Sequence, residues 1–171
     1  MMAKKIESSW ASDRRLMITQ ISGEIHVADV KRWRDSLQYA LDQIPNNTPF
    51  KLLANMYGSC PVDINAHIQL NTTVPQLLSQ YGWKVGYIDM FEDQANAMSY
   101  TRKRGIYCYG AAHCHHDIFK MELCEIYYSS NNEHYFTDPG YAEQWISAIG
   151  PFPANNHPYY NSSILPQQLY T

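Results

Sequence analysis

The chain has 171 residues, enough for one domain with one substantial core that needs no disulfide or metal staple. Hydrophobic residues make up 45% and charged residues only 17%, with 14 tyrosines filling much of the gap; this excludes a disordered chain, a collagen-like fibre and a disulfide mini-protein. A net charge of −3 supplies no basic field, which argues against nucleic acid as the main partner.

No run reaches the roughly 18 apolar residues of a membrane-crossing helix. The opening MMAKKIESSWASDRRLM is basic, but Glu7, Ser8, Ser9 and Asp13 interrupt it before any signal-peptide core. Cys60, Cys108, Cys114 and Cys124 form no C-x-x-C pair. They read as free buried thiols in a reducing cytoplasm, with an extracytoplasmic disulfide pair as the alternative.

In chain order, residues 14–25 read as a strand apolar on both faces, through Leu16, Met17, Ile18 and Ile21. Gly23 permits a bulge or a tight turn. Val30, Trp33, Leu37, Ala40, Leu41 and Ile44 fall on one helical stripe, which Pro45 and the NNTP cluster end. Residues 50–57 form a second strand, and Gly58 to Pro61 a loop. Asp63 caps the helix that follows, and Thr72 or Thr73 caps a second short helix with Pro75 in its first turn. Gly82 stands where a helix end favours glycine.

Residues 83–90, WKVGYIDM, alternate like a buried strand. Asp89 and Glu92 have capping-box spacing for a helix from about Phe91 to Arg104, stopped by Gly105. Residues 106–112 are ambiguous, and 113–126 read as helical. Residues 133–138 form a strand, and Asp138-Pro139 opens an amphipathic helix with Ala142, Trp145, Ile146 and Ile149 inward. The expected architecture is therefore α/β, a small mixed or mainly parallel sheet of four or five strands with helices packed against it. Residues 1–149 form the domain; residues 150–171 form an uncharged arm rich in proline and aromatics, suited to covering a surface.

The segments ITQISGEIHVADVKRW, KLLANMYG, WKVGYIDMFED and EHYFTDPGYAEQWI resemble, in this order, the SpoIIAA-like proteins of the STAS and CRAL-TRIO-like group. Gly23 and Asp29 match the family's strand end and helix opening, Lys84 to Asp89 its next basic-led strand, and Phe136, Asp138, Ala142 and Trp145 its closing pattern. The resemblance spans about residues 14–149. It implies a STAS-like sheet and work through protein contacts, with no settled biochemical activity. Anti-sigma-factor antagonists of the family carry a phosphorylated Ser or Thr at a helix start, where this chain has Ile64; Ser59 lies in the loop before it. Related CRAL-TRIO domains bind lipids, which implies an apolar ligand pocket by analogy of fold.

Three groups of residues could carry chemistry. On a helix, His113, His116 and Asp117 would share a face and could bind zinc or iron(II); as a helix start they would simply be solvated. Asp63 and His67, four apart, suit either an acid/base pair or a cap and an interface histidine. Asn55, Tyr57 and Ser59 after one strand, with Asp89 and Phe91 after another, would frame a pocket at the strand carboxyl ends together with Asp63 and His67. Tyr57, Tyr81, Tyr87, Tyr100, Tyr107, Tyr109, Tyr127 and Tyr128 suit the core, an interface or a cavity wall. The Arg102-Lys103-Arg104 run fits a helix carboxyl end better than an anion site. No G-x-S-x-G elbow, P-loop or G-x-G-x-x-G is present, and no cofactor is called for.

The sequence thus favours a cytoplasmic, non-enzymatic STAS-like domain that acts through protein contacts, as a homodimer or with another protein. The alternatives are a module binding a small apolar molecule or lipid, and a metal-dependent enzyme centred on the HCHHD cluster.

Overall fold

The computed structural model describes residues 3–150. Its sheet starts with an antiparallel pair, β1 (Lys5–Ala11) and β2 (Leu16–Ile25). From β2 the sheet runs parallel through β3 (Pro49–Asn55), β5 (Tyr107–Cys114) and β6 (Glu133–Phe136). Short β4 (Ser59–Pro61) pairs with the far end of β2. The order is β1-β2-β3-β5-β6, a six-stranded mixed sheet within an α/β fold.

Alternation along the strands makes two core faces. Met17, Ile21, Phe50, Leu52, Ala54 and Ala111 face α1 (Val27–Leu41) and α2 (Ile64–Ser79). Trp83, Tyr87 and α4 (Ile118–Tyr128), through Met121 and Cys124, complete that layer. On the other face Leu16, Leu53, Ala112 and Cys114 pack against Ala142 and Ile146 of α5 (Pro139–Ala148). Lys51 of β3 is buried on this second face; its ammonium donates to the Ser147 and Ile149 carbonyls at 3.1 and 2.6 Å and so caps α5.

Three expected caps form, while the Asp89–Glu92 capping box does not, since α3 (Glu92–Asn96) starts after Phe91 and Asp89 pairs with Lys84. The Asp29 carboxylate accepts from His26 N at 2.9 Å and opens α1, Asp63 caps α2 through Ala66 N, and Asp138 caps α5 through Gly140 N.

Several expectations need correction. The N-terminal segment adds a further strand, in which Ile6, Ser8 and Trp10 alternate inward between exposed Lys5, Glu7 and Ser9. Gly58 to Pro61 is not all loop, since Ser59–Pro61 pairs with β2 beyond Gly23, whose positive φ of 95° turns the strand without breaking it. Residues 64–79 are one helix, because the Thr72 and Thr73 hydroxyls bond back to the Ile68 and Gln69 carbonyls instead of capping a new start. Residues 83–90 do not pair; they end in a 3-10 turn, Gly86–Met90, whose approach to α4 is so close that a Cβ on Gly86 would lie 2.4 Å from the Tyr128 carbonyl.

The helix expected from Phe91 to Arg104 shrinks to α3 (Glu92–Asn96), which buries no residue and so has no packing to propagate it. Arg104 instead caps a different helix, donating to Ile44 O at 2.7 Å and Leu41 O at 3.3 Å at the end of α1. The helix expected over 113–126 begins only at Ile118. The C-terminal arm, from residue 151 onward, lies outside the described residues.

Pro75 has no N–H to bond the Asn71 carbonyl one turn earlier. The Tyr87 hydroxyl takes that place, donating to Asn71 O at 2.7 Å. Tyr87→Phe should therefore cost about 1–3 kcal/mol, the penalty of an orphaned buried carbonyl. In a Pro75→Ala background the new N–H rescues that carbonyl, so the same substitution should cost clearly less. Urea unfolding of the four chains measures this coupling, and an equal cost in both backgrounds would contradict it.

Candidate functional site at the strand carboxyl ends

β3 and β5 end side by side at Asn55 and Cys114. Above them α2, the 86–91 turn and the first half of α4 surround a cavity of about 580 Å³. His67 and Asn71 come from α2, Tyr87, Met90 and Phe91 from the turn, and Phe119, Lys120, Leu123 and Cys124 from α4. Asp117, which caps α4 through Lys120 N at 3.1 Å, stands at the rim. A void of about 20 Å³ continues below toward Met56, His113 and Tyr135.

The polar floor is a connected set. Lys120 Nζ donates to Asn71 Oδ1 at 2.7 Å, and Asn71 Nδ2 donates to the His67 carbonyl at 2.8 Å. Burial lowers the Lys120 ammonium from the ordinary lysine value, against weaker opposing effects of Cys124 and Asp117. Burial, then the nearby Lys120 charge, lowers His67 as well. His115, stacked on His116 at 4.2 Å, is pushed down to about 3 by burial first and by Lys120 and His116 after it. Burial raises the Cys124 thiol, so no thiolate nucleophile is prepared there.

Beneath this floor lies a buried carboxylate. Glu133 is 2% exposed and accepts from His113 Nε2 at 2.8 Å, Gly86 N at 2.9 Å and Trp83 Nε1 at 3.3 Å. The His113 ring stacks on Tyr135 at 4.8 Å and meets the Tyr87 ring edge-on at 5.6 Å.

Of the seven residues expected to frame a pocket, His67 and Phe91 line the cavity. Asn55 accepts from Tyr57 N in a turn, the Tyr57 ring packs on His116, and Ser59 is buried in β4. Asp89 pairs with Lys84 at 3.2 Å beside a separate, polar hollow of about 360 Å³. Asp63 is spent on its cap while His67 Nδ1 meets Asn71 Nδ2 at 3.3 Å, so no acid/base pair of the two forms.

The metal triad loses its shared helix face. His113 lies on β5 bonded to Glu133, His116 Nδ1 accepts from Gly58 N, and Asp117 caps α4. Among the described residues no group of three or more His, Cys, Asp or Glu is placed to hold a metal ion. The four cysteines are free, Cys60 exposed and the other three buried.

Sequence reasoning missed Asn71, Met90, Phe119, Lys120, Leu123 and Cys124 as lining residues. Two signals were present: Asn71 interrupts the apolar stripe of α2, and Lys120 precedes Cys124 by one turn inside the apolar run IFKMELC. Compared with protein-family models, curated proteins and solved structures, the chain matches none.

Glu133→Ala leaves the Trp83 indole, the Gly86 amide and His113 without their acceptor. It should cost about 3–5 kcal/mol in denaturant unfolding, as for a broken buried pair, and a loss under 1 kcal/mol would contradict this role.

Acid should destabilise the fold through His115. The unfolded chain takes up this proton below about pH 6.5, the ordinary histidine value, while the folded chain resists until about pH 3. Stability therefore falls as pH drops from about 6.5 toward 3, and the lowered His67 acts in the same direction. In urea midpoints compared at neutral and mildly acidic pH, His115→Gln should flatten the decline. A decline identical to that of the unsubstituted chain would contradict this assignment.

Proposed function

We propose that this chain binds a small apolar molecule in the cavity between α2 and α4. The observation that carries the reading is the cavity itself: its volume lies in the roughly 300–1,000 Å³ range of small-molecule sites, and its wall is mainly apolar with a few convergent polar groups. Its position outside the carboxyl ends of parallel strands is where open α/β sheets take ligands. Met90 and Leu123 are each more than two-fifths exposed and Phe119 is 84% exposed, so the rim offers an apolar entrance.

A STAS-like, SpoIIAA-like identity remains part of this proposal. Asp29 opening α1 and the Phe136, Asp138, Ala142, Trp145 sequence across β6 and α5 support it. The 3-10 turn where the family pattern has a strand departs from it. Four free cysteines support a cytoplasmic setting. Among the described residues no helix is long and apolar enough to cross a membrane.

A second reading, contact with another copy or another protein, rests on the outer face of α4. Ile126 and Tyr127 there are 74% and 69% exposed, a patch that soluble surfaces seldom leave bare.

The neutral probe decanol tests the cavity reading by calorimetric titration. The chain should bind it, and Leu123→Trp, which fills the mouth, should weaken binding roughly tenfold or more. No binding up to the solubility limit, or binding indifferent to Leu123→Trp, would overturn the reading.

A further inference from the structure

We propose that Lys120, with Asn71 and His67 beside it, anchors the carboxylate of an apolar acid whose chain fills the cavity between α2 and α4. This rests on the cavity reading and adds the ligand's chemical class to it.

Lys120 is the one lysine or arginine in the cavity wall. Of the three N–H donors an ammonium carries, one goes to Asn71 Oδ1 at 2.7 Å. Among the described residues Lys120 forms no ion pair. Asp117 stands on the same wall, but its Oδ1 is held by the backbone N–H of Lys120 at 3.1 Å as the helix cap. Asp117 keeps its charge but lies beyond ion-pair distance of the ammonium, whose hydrogen-bond partner is Asn71, so the remaining donors face the cavity.

Asn71 aims them. Its Nδ2 donates to the His67 carbonyl, which turns Oδ1 toward Lys120. With that amide also facing His67 Nδ1 at 3.3 Å as donor, Nδ1 is the acceptor and His67 carries its proton on Nε2. Burial and the Lys120 charge keep His67 neutral, so it adds a donor without a second positive charge.

The chemical class follows from this count. One ammonium and one neutral imidazole, with the Asp117 carboxylate at the rim, match at most a monoanion. They leave a phosphate dianion half uncompensated, and no arginine fork is present to grip it. The Tyr87, Phe91, Phe119 and Leu123 side chains demand an apolar body on the same molecule. The nearest carboxylate, Asp117, lies beyond ion-pair distance at the exposed rim, so a half-buried ammonium on an apolar wall still gains from a carboxylate bound directly to it.

Calorimetric titration of the full chain with decanoate, decanol and acetate tests the anchor. Decanoate should bind roughly tenfold or more tighter than decanol, the share of a charge-assisted hydrogen bond. Acetate should bind far more weakly than either. In Lys120→Met the preference for decanoate over decanol should vanish, and a circular dichroism spectrum and cooperative urea transition like those of the unsubstituted chain show that the variant folds. Equal binding of decanoate and decanol by the unsubstituted chain would overturn the anchor and leave the cavity reading standing. Acetate as tight as decanoate, or a decanoate preference that survives Lys120→Met, would also overturn it. Failure of both long-chain probes would overturn the cavity reading and the anchor together. A second measurement needs no variant: the Lys120 Nζ magnetic resonance signal should titrate at higher pH with decanoate bound than with decanol, and the same midpoint with both would overturn the anchor.

Discussion

The arrangement depends on one buried carboxylate. Glu133 stands at the first position of β6, yet it accepts from β5 through His113, from the 83–86 segment through Trp83 and Gly86, and places Tyr135 two residues later under the cavity. A buried carboxylate is tolerated only when its lone pairs are met, and here three donors from two further stretches of chain meet them. The cost of burying the charge thereby becomes a constraint on position. The 83–86 segment must approach β6 closely enough for its backbone to bond a side chain, so it cannot lie in the sheet as a strand.

A second constraint follows from the first. Once the 83–86 segment is fixed, Tyr87 reaches α2 and satisfies the Asn71 carbonyl that Pro75 leaves open. Asn71 then spends its side chain on His67 and Lys120. A proline inside a helix is usually a local cost. In this chain it is what ties α2, the 86–91 turn and α4 around one space. The opposite end of the sheet is held by long cations instead: Arg104 on the carbonyls of α1 and Lys51 on those of α5.

Much of the architecture was legible in the sequence. The stripe from Val30 to Ile44, the two-faced strand around Ile18, and the caps Asp63 and Asp138 were read from period and turn chemistry, and each formed. The failures have physical causes. The WKVGYIDM alternation reported burial correctly, since Trp83, Val85 and Tyr87 are inside, but burial is not pairing. The polar side-chain acceptor that replaces a ladder lies 47 residues downstream of Gly86, beyond any local pattern. His113, His116 and Asp117 looked coherent only on a helix; the chain leaves β5 at Cys114 and gives each residue a different partner. The candidate cavity lies where the sequence placed a pocket, at the carboxyl ends of the strands, and shares with that reading His67 and Phe91, and Tyr87 from its cavity-wall tyrosines. Asn71 comes from α2, Tyr87 and Met90 from the 86–91 turn, and Phe119, Lys120, Leu123 and Cys124 from α4, which starts later than its composition suggested.

A mainly apolar cavity with a single lysine in its wall joins these constraints to the proposed function. Methyl magnetic resonance of methionine-labelled protein, titrated with decanol, tests that link most directly, because the methionines sample the molecule at distinct depths. Met90 lines the cavity, Met56 and Met121 line the small void beneath it, and Met17 belongs to the core under α1. The account predicts a large saturable shift of Met90, smaller shifts of Met56 and Met121, and a Met17 signal that stays in place. A titration that leaves Met90 unmoved, or that moves Met17 as much as Met90, would contradict it.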